Sequence, residues 1–283
     1  MSGPRRPART VAAMLCALLL AACTGLHGSR EPAPGAATFS VVTLNLYHDK
    51  ADWPRRRVQI ARTLRELAPD VVALQEVLQT EDLRNQAEWL AAELGCQVHF
   101  TSTDPAGSAR RFGNALLTPH RILARGERAL QPHDDFRTAA MLRIEVHGRP
   151  VDVYATHLHW TDGGGAIRAR QVDDLLDFIA TASGDHVPVV VAGDFNTEAG
   201  APELSRLRGR FADSFGTLHP DAGPETTTLN RAWFDRPRRI DHIFHDPARL
   251  VPLRSEILFT RPDADGTWAS DHHALLTVFA LRD

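Results

Sequence analysis

The chain has 283 residues, 43% of them hydrophobic and 24% charged, with a formal net charge of −3. That length can bury one large core, and the balance is not the basic one of a general nucleic-acid binder. Cys16, Cys23 and Cys96 are too few for a disulfide-framed scaffold.

The chain opens with Arg5, Arg6 and Arg9, followed by small and apolar residues from Val11 to Ala22. That run is shorter than the roughly 20 residues a membrane span needs, and its flanks read as a secretory signal. Its end, Leu20-Ala21-Ala22-Cys23, resembles a bacterial lipobox, in which the cysteine is acylated and becomes the new N-terminus. Ordinary cleavage beside an incidental cysteine is the alternative. The Arg5-Arg6 pair raises twin-arginine export, but the residues after it fit that route poorly. Residues 23–37, rich in Gly, Ser, Pro and Ala, read as a flexible tether from Cys23. The expectation is therefore a signal peptide at 1–22, a tether at 23–37 and one folded domain at 38–283. The protein would be exported, monomeric and held at a membrane facing the periplasm or the cell exterior. Loss of the three leader arginines takes the formal charge from −3 to −6. With Cys16 removed and Cys23 acylated, Cys96 has no partner for an internal disulfide.

Phe39–Tyr47 alternates and is rich in β-branched residues, which predicts a strand. Arg55–Leu67 places Val58, Ala61, Leu64 and Leu67 at helical spacing. Asp70–Val77 reads as a buried strand, and Thr80–Leu94 as a second helix. Short strands are expected near 97–101, 114–118, 138–146 and 151–156, with a helix from about Ala166 to Thr181. Val187–Ala192 is almost free of polar residues, as a strand covered on both faces should be. Strands near 239–244, 253–259 and 274–280 close the chain. No internal repeat is visible. Strands interspersed with helices point to a layered α/β domain, although periodicity does not supply the strand order.

The polar residues collect at strand ends. Asn45 lies near the end of the first strand and Glu76 ends the second. His157 ends VDVYAT, Asp194 and Asn196 end VPVVVAG, Asp241 lies in RIDHIF, and Asp271-His272 precede the last strand. Layered α/β folds commonly place ligands at such strand ends. Carboxylate and amide oxygens suit a hard cation such as Mg²⁺. His157-x-His159 alone is weak evidence for zinc. Gly163-Gly164-Gly165 lacks the Lys-Ser/Thr of a phosphate-binding loop, and no serine sits in a nucleophile elbow. Water is then the expected nucleophile and a metal the expected charge sink. Each residue also has a plain reading: a strand-end Asp or Asn can simply cap a turn, and His159 and His273 read as structural.

Taken together, TLNLY, LQEV, ATHLHW, GDFN, RIDHIF and SDHHAL resemble the endonuclease/exonuclease/phosphatase superfamily of deoxyribonuclease I-like hydrolases. They stand in the family's order and cover residues 39–280. The resemblance implies a four-layered α/β sandwich, two packed mixed sheets flanked by helices, and a Mg²⁺-dependent phosphoesterase, with Mn²⁺ as a substitute. It implies Glu76 as the main metal ligand, with Asn45 and Asp271 near the metal directly or through water. Asp241 and His272 would form a carboxylate–imidazole pair, Asp194 and Asn196 would orient water and phosphate oxygens, and His157 would face the phosphate from the other side. Either Asp194 or His272 is left as the general base. Arg137 resembles a family arginine that contacts substrate phosphate, and Asn114 the family's recurrent Gly-Asn; a surface arginine and a turn residue are the plain alternatives. One departure stands out. The segment SARRFGNALL lacks the acid that partners the matching histidine in deoxyribonuclease I-like members, so His157 is expected to orient phosphate.

Three substrate classes remain open: nucleic acid, a phospholipid head group and a small phosphorylated metabolite. The acidic balance speaks mildly against general duplex binding. A tether would bring lipid close, but no long exposed aromatic hairpin is seen. A non-catalytic lipoprotein using the fold for binding is the alternative class, and a degenerate copy should have lost some of the six motifs.

Overall fold

Residues 37–282, together with Gly3, are described in the computed structural model. The expected signal peptide, the acylated Cys23 and the tether up to residue 36 lie outside the described residues.

The first sheet begins with β1 (Thr38–Asn45), α1 (Trp53–Leu67), β2 (Val71–Gln79), α2 (Gln86–Leu94), β3 (Gln97–Ser102) and β4 (Arg111–Thr118). The second contains β5 (Ile122–Ala129), β6 (Thr138–Val146), β7 (Arg149–His157), α3 (Gly165–Ala182), β8 (Val189–Asp194), α4 (Ser205–Arg208), β9 (Ala212–Asp213), α5 (Ser214–Leu218) and β10 (Asp241–His245). The chain then returns to the first sheet as β11 (Leu250–Leu258) and β12 (Ala274–Leu281). Strand order is β11-β12-β1-β2-β4-β3 in one sheet and β5-β6-β7-β8-β10-β9 in the other. Only β1/β2 and β7/β8 pair in parallel, each bridged by a helix, as a parallel crossover requires.

Alternation along the strands produces the layers. Val41, Ala73 and Leu116 from the first sheet meet Leu142, Val153 and Ala192 from the second in one fully buried cluster. On the outer face of the first sheet, Val42, Leu44 and Leu74 pack under Ile60 and Leu64 of α1 and Leu90 of α2. On the outer face of the second, Tyr154, Val191 and Phe244 pack under Val172, Leu175 and Ile179 of α3. Strands covered on both faces explain why β8 reads as a continuous apolar run. The result is the four-layered α/β sandwich with two mixed sheets that was expected.

Several elements differ from the sequence reading; the short α4, β9 and α5 have no counterpart in it, being too brief to show a period. The second helix begins at Gln86 and not at Thr80. Thr80 and Leu83 exchange backbone hydrogen bonds in a turn, and the Asn85 side chain caps the helix by accepting from the Ala87 and Glu88 N–H groups. β5 was not anticipated. It is an edge strand whose residues alternate between half-buried and exposed, so it carries no apolar run to betray it.

The fold gathers the motif residues by register. The parallel strands β1, β2, β7 and β8 all end at the same pole of the sandwich. β10 and β12 run antiparallel to their neighbours and therefore begin there: Asp241 sits opposite Asp194, and the residues before Ala274 lie past the end of β1.

Candidate active site

At that pole a cleft of about 640 Å³ is lined by Glu76, Arg137, His157, Asp194, Asn196, Asp271 and His272, among others. Asn45 and Asp241 lie buried against the same cluster. A larger groove of about 860 Å³ runs between α5 and β11, past Phe215, Leu218 and Ile257. It contains none of the motif acids, so the chemistry belongs to the smaller cleft.

Local backbone choices aim the side chains. A β-bulge shifts the β2/β4 register between Leu74 and Val77, and Glu76 within it has φ 54°. A non-glycine residue there costs about 1 kcal/mol, the kind of strain that function sustains. Gly193, before Asp194, is dictated by space: a Cβ there would lie 2.0 Å from the Thr156 carbonyl oxygen. Asn196 has φ 54°, tolerated by asparagine, and its Nδ2 donates to the Leu158 carbonyl at 2.9 Å. The Asn196 N–H donates to Asp194 Oδ1 at 2.9 Å.

Asn45 links the two sheets. Its Nδ2 donates to Glu76 Oε1 at 3.2 Å and to Asp194 Oδ2 at 3.0 Å. Its Oδ1 accepts from the Tyr47 N–H at 3.0 Å. Ser270 fastens the approach to β12 onto β1, donating to the Asn45 carbonyl at 2.7 Å and accepting from the His272 N–H at 3.1 Å. His272 Nδ1 lies 2.9 Å from Asp241 Oδ2 and 3.8 Å from Asp194 Oδ2. Thr228 Oγ1 accepts from the Asp241 N–H at 3.1 Å. His157 Nε2 approaches Asp194 Oδ2 to 3.5 Å from the other side.

The electrostatics follow from burial and crowding. Burial raises the Glu76 carboxyl above its usual range, and Asp271 and Asp194 add to this against His272 and Asn45. Burial likewise raises Asp271. It pushes Asp241 up to about 6, despite the adjacent His272 ring. Burial opposes charge on His272, but the carboxylates of Asp241, Asp194 and Asp271 outweigh it and raise the ring well above the usual histidine value. Burial works to raise Asp194 too, yet His157, His272 and the Asn45 amide hold it below its ordinary value. His157 is depressed to about 3 by burial and by Arg137, so it is a neutral ring at physiological pH.

A cation fits this donor set. Asp194, Asp241 and His272 have ligand atoms within 4.8 Å of one another. Asp241 Oδ1 is buried without a hydrogen-bond partner, which is costly unless something else satisfies it. Glu76 adds a further carboxylate, joined to Asp194 through the shared Asn45 amide nitrogen.

Arg137 reaches the cleft beside His157, with Nε 3.6 Å from Asp135 Oδ2 and no hydrogen-bond partner. Asn114 is not among the cleft-lining residues; its amide nitrogen donates to Thr138, through the backbone carbonyl at 2.9 Å and the hydroxyl at 3.1 Å. His159 is held by Asp135 and Thr161 at 2.7 Å each, in keeping with a structural part. Arg56, Arg168 and Thr228 carry the site without having been singled out, and Trp160 frames the cleft. An arginine in the first turn of a helix opposes the macrodipole, a local inconsistency that could have flagged the two arginines.

This buried acid–amide–imidazole cluster, at one pole of a doubly layered α/β sandwich, is a hydrolase-type site. The family model described as Endonuclease/Exonuclease/phosphatase family matches residues 42–272, and the chain belongs to that family and is a phosphoesterase. It is 26% identical to Protein angel of Drosophila melanogaster over 268 residues, 83% of this chain and 74% of that protein. The human Nocturnin catalytic domain, solved with a bound sulfate, shares the fold at TM-score 0.71 and 21% identity, covering 87% of this chain and 94% of that one. An endonuclease/exonuclease/phosphatase from Bacteroides vulgatus does so at TM-score 0.70 and 18% identity, covering 87% of this chain and 99% of that one.

Proposed function

We propose that the chain is a divalent-metal phosphoesterase, with Mg²⁺ held by Glu76 and supported by Asp271 and Asn45, and with Mn²⁺ able to replace it. The observation that carries this reading is the crowding of the buried carboxylates of Glu76, Asp194, Asp241 and Asp271 around His272. Such a cluster would repel a phosphate ester, and a bound divalent cation reverses that by offsetting charge at a phosphoryl oxygen. Asp194, held ionised by His272 and the Asn45 amide, is placed to accept a proton from an attacking water. The Asp241–His272 pair fixes the ring by its Nδ1 and leaves its other nitrogen for a phosphate oxygen or water. Neutral His157 and the Arg137 guanidinium orient the phosphate from the opposite wall. With no acid but Asp194 against it among the described residues, His157 serves as a hydrogen-bonding partner and not as a strong acid.

Glu76→Gln should lower metal-dependent hydrolysis of bis(p-nitrophenyl) phosphate by about 100-fold or more. Its circular dichroism should stay native and its Mg²⁺ affinity should fall in calorimetry. Unchanged turnover would sink the metal assignment.

We further propose that the domain is exported and held at a membrane by acylated Cys23 through residues 23–37, and that it acts as a monomer on its phosphate ester. The sequence pattern at 1–23 supports this. Mass spectrometry of the exported N-terminus should find acyl chains on Cys23; a free N-terminus at another residue would refute the anchor.

A further inference from the structure

Among the described residues the longest connection between two elements is 219–240, which runs from α5 to β10. Connections of that length without strands or helices commonly serve function. This one is not loose. Thr227 Oγ1 ties its limbs together: it lies 2.9 and 3.0 Å from the carbonyl oxygens of Leu229 and Arg238, and accepts from their N–H groups at 2.9 and 3.1 Å. The inner limb, Thr228–Asn230, runs antiparallel beside Asp271–His273. The His273 N–H donates to the Thr228 carbonyl at 2.6 Å, and the Asn230 N–H to the Asp271 carbonyl at 2.8 Å.

Asn230 does more than continue this contact. It is fully buried, and its Nδ2 donates to the Ser270 carbonyl at 3.0 Å. One residue thus takes two consecutive carbonyls, those of Ser270 and Asp271. Its Oδ1 accepts from the Ala232 N–H at 3.0 Å, an Asx turn that fixes the amide plane.

The placement matters because Asp271 and His272 lie before β12, outside the strand ladders that fix Asn45, His157 and Asp194. Ser270 Oγ holds their segment to β1 from one side, and Asn230 holds it from the other. The carbonyls of Ser270 and Asp271 belong to the two peptides that flank the Asp271 Cα. With both pinned, neither peptide can rotate, and the Asp271 carboxylate keeps its place in the cleft. We propose that Asn230 is a positioning residue for Asp271: it is not among the cleft-lining residues, yet it sets where that carboxylate stands. This rests on the metal-dependent reading above and adds a supporting residue to it.

Asn230→Ser tests the role, because a serine hydroxyl can accept from the Ala232 N–H but is too short to reach the Ser270 carbonyl. In calorimetry with Mg²⁺ alone, this variant should bind about tenfold more weakly than the unaltered chain, the effect expected when a metal ligand loses its support. Thr227→Ala is the structural control. It removes bonds within the same connection, none of them to 270–273. It should lower the urea midpoint and leave Mg²⁺ affinity within about twofold. In metal-free protein, the His272 N–H, which donates to Ser270 Oγ, should exchange with deuterium about tenfold faster in Asn230→Ser and not in Thr227→Ala. Undiminished Mg²⁺ affinity in Asn230→Ser, or an equal loss in Thr227→Ala, would overturn the proposal. If the unaltered chain takes up no Mg²⁺, the metal reading fails by itself, and the His272 N–H still decides: an unchanged exchange rate in Asn230→Ser would leave Asn230 without a positioning role.

Discussion

The two parallel β-α-β units of the sandwich are built alike and secured differently. In each, seven residues connect a site residue at the strand end, Asn45 or His157, to the following helix. In each, the fourth helical residue is a buried arginine, Arg56 in α1 and Arg168 in α3, that turns back to bond the carbonyls of that loop. Arg168 is a clamp with a counter-ion: Glu203 Oε1 lies 3.0 Å from its Nε and 2.9 Å from its Nη2. Among the described residues Arg56 has no carboxylate in contact. Its Nε donates to Lys50 O, Nη1 to Leu46 O and Ala269 O, and Nη2 to Tyr47 O and His48 O. Burial depresses it to about 10, and Asp271 is the foremost charge holding it up. The rings of Trp53 and Tyr47 lie 5.4 and 5.9 Å from its Cζ. Carbonyl dipoles, two aromatic faces and the acids of the site thus stand where Glu203 stands for Arg168. Arg56 also reaches Ala269, so one side chain braces both the segment after Asn45 and the segment before Asp271.

The sharpest way to break this comparison is Arg56→Met. It takes the donor from the carbonyls of Leu46, Lys50 and Ala269, in the segments after Asn45 and before Asp271, and the expected loss is about 4 kcal/mol in urea denaturation, with a weaker grip on Mg²⁺. Arg56→Lys should recover less than half, because an ammonium cannot reproduce the planar fork. If Arg56→Met costs no more than the matching change in α3, the two braces are equivalent after all.

Arg168→Met should cost about 3 kcal/mol, much of it from Glu203, left half-buried and unpaired. That component is removable. Adding Glu203→Gln should restore about 1 kcal/mol, measured as the coupling in a double-mutant cycle. No single acid replacement should rescue Arg56→Met in this way. A zero coupling between Arg168 and Glu203 would place the whole effect in the carbonyl bonds and erase the distinction.

The braces show what a sequence does and does not reveal. Strand-end polarity and six ordered motifs located Asn45, Glu76, His157, Asp194, Asn196, Asp241, Asp271 and His272, and all of these converge on one pole. They were legible because each lies at the end of an apolar run that announces a buried strand. Arg56 was not, because it reads as one more basic residue in WPRRR until its burial is seen. The repeat of the two units was equally hidden: they share loop length and an arginine position, not sequence. β5 escaped because an edge strand lacking fully buried residues has no alternation strong enough to see. Asn114, by contrast, is a motif position that does not line the cleft, its amide nitrogen being held on Thr138.

A pH dependence also separates the sheets. Burial depresses His157 to about 3 and His242 and His245 to about 4, all three in the second sheet. The unfolded chain protonates these rings near 6.5. Between about pH 6.5 and 4 it therefore binds more protons than the folded chain, and stability falls as pH falls, by about 1.4 kcal/mol per pH unit for each ring. Asp241, raised to about 6, titrates in the opposite sense and offsets one of them. In the first sheet, burial raises Glu76 and Asp271, so protonation favours the folded state, with only His273 depressed against them. Hydrogen exchange corrected for intrinsic rates should consequently show β7, β8 and β10 losing protection between pH 6.5 and 4.5 by at least about tenfold more than β1 and β2. His245→Gln lies at the end of β10 away from the catalytic pole and keeps a partner for Ser214. It should flatten that dependence by about the share of one ring. Equal losses in both sheets would mean that the sandwich opens as one unit, and that the different braces of its two halves have no counterpart in how it unfolds.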